Sequence, residues 1–532
     1  MKRITTAGYG LSLCLAAAAL AGCGGASTGG GGTAPVVDGG TFTLGVSSDP
    51  GSLDPQMGAG STLFAVTQFA YDPLVSVDGG TGEIRSGLAK KWEVKDSTIS
   101  LTLAEGITCA DGAKLTPTVV AANLDFVSDP NNKSPFLGTF FPAGAKTVAD
   151  DAAGMVTITL AQPAPFVLNG LSSLPMVCPK GMADRTALKT ATAGTGPYQL
   201  TEAAPGDHYT YTVREGYTWG PDGATTATKG LPKTVVIKVV ANETTAANLL
   251  LSGGLNAAQV AGPDAERLEK AGLYAAKTPA LAGEQWYNHA AGRVTADPAV
   301  RMALTRALDL AELRKVLTSG QGTQPTALAA NEPVACPGDS VAKSQPTSDP
   351  KAAAALLDQA GWKAGSDGKR AKDGKPLALT FLYQNNNGSA GDAAAELAVR
   401  QWQAIGVEAT ARSQDETTLT STIFGAGDWD VSWVSLNVGS PDQLVPFLSG
   451  PAAPAGTNFA AIADPDYDKA VTAAMAIPGT TGCDAWLAAE AGLIAKSDIV
   501  PFAVKVLRTF GKKAEFKTPG QLIPLSIRVL AK

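Results

Sequence analysis

The sequence predicts an α/β fold of two lobes, and two observations carry that prediction: a pair of βαβ units far apart in the chain, and three helices that each begin with Asp-Pro. In the first unit the β-branched run 235–240 leads to a helical stretch over 244–251, then to Gly253-Gly254 and a short apolar run ending at Val260. In the second, the run 377–383 leads to a helix over about 393–405, stopped by Gly406, and then to a strand over 407–411. Glycine ends such a helix because it tolerates positive φ. Two separated units imply two parallel-containing sheets, hence two lobes rather than one large barrel, with the barrel as the lesser alternative.

At the start of the chain, basic Met1-Lys2-Arg3 precedes an apolar core over 11–20 that closes on Leu20-Ala21-Gly22-Cys23. A charged start, a short apolar core and small residues before a cysteine read as a secretory signal, too short to remain as a membrane span. Leu-Ala-Gly-Cys resembles the bacterial lipobox, in which the signal is cut before the cysteine and the thiol is acylated. Residues 1–22 are therefore expected to be a signal peptide and Cys23 the lipidated mature N-terminus. The alternative is a plain secretory signal with an incidental cysteine. Residues 23–40 are expected to act as a tether, because 24–32 are Gly/Ser/Thr-rich and lack apolar periodicity. Several acyl chains make such an anchor stable where one alone binds marginally.

From Thr41 the elements follow in order. Residues 41–46 alternate as a strand, which Asp49-Pro50-Gly51-Ser52 ends with turn chemistry. Residues 92–94 and 99–103 flank a polar turn and predict a hairpin. Asp297-Pro298, Asp349-Pro350 and Asp464-Pro465 each place a capping carboxylate before a proline in the first helical turn. The first of these helices carries Val300, Leu304, Ala307 and Leu308 on one face. The second carries Ala352, Ala355, Leu356 and Gln359, and ends at Gly361. Between them, 320–345 is Gly/Pro-rich and reads as a long surface connection holding Cys336. No fixed-period repeat is present.

Composition narrows the function. Without residues 1–22 the chain has 510 residues and a balance of 40 basic against 48 acidic, or −8. With no basic stripe, nucleic acid is not an expected partner. Only His208 and His289 occur, which leaves little for a histidine metal site, and neither metal nor cofactor is expected. No second apolar run is long enough to span a membrane, so the body is expected to be held by lipid alone. Cys14 leaves with the signal and Cys23 carries lipid, which leaves Cys109, Cys178, Cys336 and Cys483. An even, widely spaced set without Cys-x-x-Cys suits two disulfides better than zinc, and three pairings are open.

Catalytic patterns fail on context. Gly25-Ala26-Ser27-Thr28-Gly29 matches a nucleophile elbow, which needs a strand-to-helix turn, but it sits in the tether. Ser340-Val341-Ala342-Lys343 and Ser348-Asp349-Pro350-Lys351 match Ser-x-x-Lys, yet Ser-Asp-Asn and Lys-Thr-Gly are missing. Asp428 and Asp430 are a carboxylate pair of the kind a glycosidase uses. Their spacing along the chain says nothing of their distance in space, and they read as solvated loop acids.

Several stretches in order resemble the family 5 solute-binding proteins of bacterial ABC importers, the oligopeptide, dipeptide and nickel receptors. They are Ser52-Leu53-Asp54-Pro55, Tyr71-Asp72-Pro73-Leu74-Val75, Gly87-Leu88-Ala89 before Trp92, and Gly106-Ile107-Thr108-Cys109-Ala110-Asp111-Gly112 before Leu115-Thr116. Gly194-Thr195-Gly196-Pro197-Tyr198 is the most specific. Val300-Arg301, Ala307-Leu308-Asp309, Ala355-Leu356-Leu357 to Trp362, and Gln403-Ala404-Ile405-Gly406-Val407 complete the series. The resemblance covers nearly all of the chain from Thr41 onward. It implies the two-lobed periplasmic-binding-protein fold, type II in the large cluster C form, with an extra subdomain inserted in the first lobe.

The implied map has lobe one at 41–82, 190–283 and 498–532, the inserted subdomain at 83–189, and lobe two at 284–497. On this map Cys109 pairs with Cys178 and Cys336 with Cys483. The implied function is capture of a peptide or other small polar solute by lobe closure, with no bond made or broken, and delivery to ABC permease subunits. The protein is expected to be a monomer on the extracellular face of the bacterial membrane, in the periplasmic space where an outer membrane exists. A lipid-anchored cell-surface hydrolase and a signalling receptor of the same fold are the alternatives.

Strand ends and connecting loops of lobe two are expected to supply the pocket: Trp286, Tyr287, Asn288, Tyr383, Gln384, Trp433, Asn437 and Asp442. Aromatic and amide groups suit a ligand held by stacking and hydrogen bonds. In peptide-binding members an aspartate near this last segment pairs with the ligand's α-amino group, and the alignment puts Asn437 there, with Asp442 as the other choice. Losing that carboxylate would weaken free-amino peptides by about one order of magnitude, so a ligand without that ammonium is expected.

Overall fold

The computed structural model describes residues 35–58 and 60–531. The expected signal peptide and Cys23 lie outside them. In chain order the strands that build the molecule are β1 (Thr41–Val46), β2 (Ala89–Lys95), β3 (Thr98–Leu103), β4 (Lys146–Asp150) and β5 (Met155–Thr159). Next come β6 (Tyr198–Ala204), β7 (His208–Val213), β8 (Thr234–Val239), β9 (Ala257–Gln259) and β10 (Tyr274–Tyr287). The last are β11 (Ala378–Gln384), β12 (Glu408–Gln414), β13 (Val431–Trp433) and β14 (Ile499–Gly511).

Ten of these form one sheet in the order β12-β11-β13-β10-β14-β9-β1-β8-β7-β6. The two βαβ units are there, one with β1 between β8 and β9 and the other pairing β11 directly with β12, all parallel. They do not make two separate sheets, as the sequence led one to expect. The long antiparallel strands β10 and β14 run between the two parallel patches and join them. Neither strand has a βαβ signature, so their pairing left no local pattern to read. A separate four-stranded sheet, β2-β3-β5-β4, carries its own core with helix Pro117–Ser128.

The three Asp-Pro helices form as the caps dictate: Asp297, Asp349 and Asp464 accept from backbone N–H groups of helices Pro298–Arg306, Pro350–Gln359 and Pro465–Met475. Val300, Leu304, Ala307 and Leu308 are buried. In the second helix the buried pair is Ala353 and Leu357, one position on from the expected face. A run of four alanines gives the hydrophobic pattern little phase, and Trp362 just beyond the helix settles it by packing into the same core.

The motif residues are occupied in packing. Asp72 is buried and accepts from Thr195 Oγ1 (2.9 Å), Tyr217 OH (3.0 Å) and Trp219 Nε1 (3.3 Å). Gly194 and Gly196 lie against the backbone of Ala70, where an added Cβ would come within 2.2 and 2.4 Å. Tyr71-Asp72 and Gly194-Thr195-Gly196 are thus two halves of one contact. Asp54 is held by Arg185, whose guanidinium also lies 3.7 Å above the Phe126 ring. The disulfides join Cys109 to Cys178 and Cys336 to Cys483, with Cα–Cα distances of 6.1 and 5.1 Å.

Candidate functional site

The two faces of the sheet around β10 decide where the expected pocket residues go. Side chains of residues paired in register share a face. Trp286, Ser432 and Leu382 are so paired and point one way; Tyr287, Val431 and Phe381, and likewise Trp433 and Tyr383, point the other. Both faces are covered, so both sets are buried.

Their polar atoms are satisfied inside the protein. Trp286 Nε1 donates to Val434 O at 2.8 Å, and its ring packs 4.7 Å from Phe459. Tyr287 OH meets Thr305 Oγ1 at 2.8 Å and accepts from Gln285 Nε2 at 2.5 Å. Trp433 Nε1 donates to Gln285 Oε1, and its ring lies between Phe381 and Phe502. Asn288 donates to Trp429 O and Gly427 O, and Tyr383 OH donates to Asp392 Oδ1 at 2.8 Å. Gln384 ends β11 in register with Gln414, partly exposed.

Asn437 is exposed, yet its amide is spent on the backbone of β10: Oδ1 accepts from Leu281 N at 2.8 Å and Nδ2 donates to Leu281 O at 3.2 Å. It clamps its loop to that strand at the point where pairing with β14 slips register, between Leu281 and Gly283.

Asp442 is placed differently. It lines a cleft of ≈ 350 Å³ together with Gln443 and Met475 on one side and residues from 138–143 and 161–170 on the other. Phe140, Phe141 and Phe166 form the aromatic wall. Phe166 reaches across and is buried against Trp486, ring centroids 6.1 Å apart. Ser440-Pro441-Asp442-Gln443 sets the geometry: Pro441 opens the short turn, and Gln443 Oε1 accepts from the N–H groups of Gly439 and Ser440. Ser440 Oγ donates to Asp442 Oδ1 at 2.5 Å, while burial pushes the Asp442 carboxyl up to about 6. The phenylalanines of this wall were missed by sequence reasoning. The available signal was aromatic residues crowded into Gly- and Pro-rich loops without periodicity, at Phe140-Phe141-Pro142 and Pro163-Ala164-Pro165-Phe166.

Behind this wall lie two buried acids. Glu284 Oε2 accepts from Leu436 N (2.9 Å) and Trp286 Nε1 (3.3 Å), while Oε1 has no partner. Burial, with a further push from Glu490, raises Glu284 to about 8. Glu490 accepts from Leu328 N and from Ser340 Oγ at 2.8 Å. The serine of the first Ser-x-x-Lys pattern is therefore buried on a carboxyl, and Lys343 is exposed. Asp428 and Asp430 both approach Arg293, and Asp430 caps Thr380 N.

A second hollow of ≈ 290 Å³ lies past the end of β10, lined by His289, Arg301, Asp464, Lys496 and Asp498. Its charges pair with one another, Arg301 with Asp498 at 2.7 Å and Lys496 with Asp464 at 2.7 Å, and burial lowers His289 to about 3. Among the described residues no group of side chains is arranged to hold a metal ion, and no helix is long and apolar enough to cross a membrane.

Comparison with known proteins gives this architecture a family. The description "Bacterial extracellular solute-binding proteins, family 5 Middle" matches residues 83–455. Protein XP55 of Streptomyces lividans is 30% identical over 394 residues, covering 70% of this chain and 67% of that one. The glutathione-binding protein GsiB of Salmonella typhimurium is 28% identical over 396 residues, covering 72% and 71%. Among solved structures, a substrate binding protein from Microbacterium hydrocarbonoxydans complexed with 4-hydroxybenzoate hydrazide superposes with a TM-score of 0.75 at 26% identity, over 92% of this chain and 99% of that one. The oligopeptide-binding protein AppA of Bacillus subtilis, in complex with a nonapeptide, has the same fold, with a TM-score of 0.73 at 20% identity over 94% and 100%. With the order of its motifs, the two-lobed architecture and a family match over most of its length, the chain belongs to the bacterial extracellular solute-binding proteins of family 5.

Proposed function

We propose that this protein is the lipid-anchored receptor of an ABC importer and captures a small organic solute in the cleft beside Asp442. The observation that carries the reading is that cleft itself, ≈ 350 Å³ in volume and walled by Phe140, Phe141 and Phe166 on one side and by Asp442 and Met475 on the other. A ligand bridging two walls that move apart favours the closed state by its differential affinity. The lobe boundaries given above fit this role, because β10 then crosses from lobe one to lobe two at 283/284 and the chain crosses back at 497/498, immediately before β14, which pairs with β10 and completes the hinge. Cys23 carries the lipid, the working form is a monomer, and the solute is handed over unchanged to permease subunits in the membrane. Relatives bind ligands as different as glutathione and a nonapeptide, so membership of the family leaves the solute open. The hydrazide held by the Microbacterium protein is small and aromatic, of a kind that this cleft would accept.

The test uses the chain from residue 23 with Cys23→Ser. Native mass spectrometry identifies the retained solute, and calorimetry then compares Phe166→Ala and Asp442→Asn with the parent. A tenfold or greater loss in both supports the cleft, and unchanged affinity in both refutes it. In cells, Cys23→Ser is expected to move the protein from the membrane fraction to the soluble one.

A further inference from the structure

The surface where the chain enters the folded body differs from the rest of the molecule. Among the described residues seven large apolar side chains are exposed, and four of them, Val36, Val37, Tyr274 and Ile523, each 37–39% exposed, lie at this one end. The backbone ties their segments together. Val36 bridges Leu530, and Val37 N donates to Val529 O at 2.8 Å. Leu530 N donates to Lys513 O and Ile523 N to Lys517 O, both at 2.9 Å. Tyr274 OH donates to Phe516 O, and the two rings meet edge-on with centroids 5.4 Å apart.

Positive charge gathers at the same place. Lys233 N donates to Gly40 O at 2.9 Å and Gly230 N to Asp38 Oδ1 at 2.6 Å, so segments 36–41, 229–234 and 512–530 lie side by side. They hold six cations, Lys229, Lys233, Lys512, Lys513, Lys517 and Arg528, against two acids, Asp38 and Glu515. That is a balance of +4 in a chain that from residue 23 carries −8. Lys229, Lys233, Lys513 and Lys517 are exposed.

We propose that this end is a membrane-docking face, whose lysines meet anionic lipid headgroups while Val36, Val37, Tyr274 and Ile523 enter the interfacial layer. The proposal rests on the anchored reading above for its tether and goes beyond it by giving the folded body a membrane contact of its own. Twelve residues separate Cys23 from Val36, and at about 3.5 Å per residue they reach at most about 45 Å. The entry end is therefore the part of the body that an anchor at Cys23 keeps nearest the bilayer. Each lysine at an anionic surface strengthens binding about fivefold, and exposed apolar side chains add the area they bury among the headgroups. Such a contact is weak alone, and the tether makes it effective by raising the local concentration. It gives an otherwise acidic body one preferred orientation on an anionic membrane.

The experiment is co-sedimentation of the chain from residue 23 with Cys23→Ser, at pH 7.5, with vesicles of equal parts phosphatidylglycerol and phosphatidylcholine and with vesicles of phosphatidylcholine alone. Partitioning onto the anionic vesicles is expected to be at least about 10-fold greater, and to fall between about 50 mM and about 500 mM salt. Lys229→Gln, Lys233→Gln and Lys517→Gln together should cut it by at least about 10-fold, and Val37→Ser with Ile523→Ser by about 3- to 10-fold. Val94→Ser with Val148→Ser, exposed apolar residues on the separate four-stranded sheet, should leave it unchanged. Thermal unfolding checks that each variant is folded.

Equal partitioning onto the two vesicle types, binding to neither, unaltered binding in both variants of the face, or an equal loss in the control pair overturns the proposal. Heparin bound by a protein that leaves both vesicles alone would assign the face to an anionic polymer, and a dimer broken by Val37→Ser with Ile523→Ser would assign it to a second copy; either result also overturns it. The chain used here cannot be lipidated, so its failure to bind leaves the anchor at Cys23 standing, and the cell fractionation described above tests that anchor separately.

Discussion

Replacing Glu284 with glutamine tests the buried-acid chemistry behind the cleft. Its carboxyl is fully buried, one oxygen accepts from Leu436 N and Trp286 Nε1, the other has no partner, and its pKa is raised from 4.5 to about 8. A raised carboxyl pKa means that folding takes up a proton wherever the unfolded chain is already ionised. The stability associated with this group is therefore fully present below about pH 4.5 and is lost as pH rises through about 8. At about 1.4 kcal/mol per unit, the loss is under about 1 kcal/mol at pH 5 and about 3 kcal/mol at pH 7. Glu284→Gln keeps a carbonyl oxygen for Leu436 and Trp286 and cannot ionise. Urea unfolding followed by tryptophan fluorescence at pH 5 and pH 7 should show the stability of the variant relative to the parent growing by about 2.5 kcal/mol between the two. A difference that stays constant within about 0.5 kcal/mol would mean that Glu284 titrates near its ordinary value, and the reasoning would be refuted. Glu490→Gln provides the cross-check, because removing its charge lowers the Glu284 pKa and shrinks the effect.

Three further outcomes follow from the local contacts. Gly196→Ala drives a methyl group to 2.4 Å from the Ala70 backbone and should cost about 3 kcal/mol, read as a lowered thermal midpoint. Gly492→Ala, in helix Cys483–Ala495 with open space around the new methyl group, should gain up to about 1 kcal/mol in the same assay. Asn437→Asp faces a carboxylate with Leu281 O, which now receives a hydrogen bond from the amide, so a loss of about 1–3 kcal/mol is expected in thermal unfolding. Calorimetry of that variant with Ala-Phe should detect no gained affinity; tight binding would show that position 437 reads the ligand's amino group.

Local chemistry made much of the fold legible. Asp-Pro caps, the glycine stops at Gly361 and Gly406, and the β-branched runs each act within a few residues, and each forms what its sequence dictates. What local pattern could not supply was the partner of a strand: β10 and β14 find each other across more than two hundred residues, and with them the two parallel patches become one sheet. The candidate site was less legible for the same reason. Tryptophan and tyrosine at 286, 287 and 433 look alike in sequence whether they face a ligand or a covering helix, and here both faces are covered. Asp442 was visible as a charge beside a turn. The phenylalanines opposite it come from loops whose apolar residues follow no period, so nothing in the sequence marks which of them line a cleft and which fill a core.

The strands β10 and β14 have one more consequence, for how the molecule comes apart. Residues of these two strands contribute to the core around Phe42 and Tyr211, through Ala276, and to the core around Trp402, through Phe502. A strand cannot leave one core while remaining fully paired in the other. Peeling β14 away strips β9 on one side and β10 on the other in a single event. The sheet thus behaves as a cooperative splice: heat or denaturant meets one barrier for both halves, and a fragment cut between them would keep a core with an open, unpaired edge.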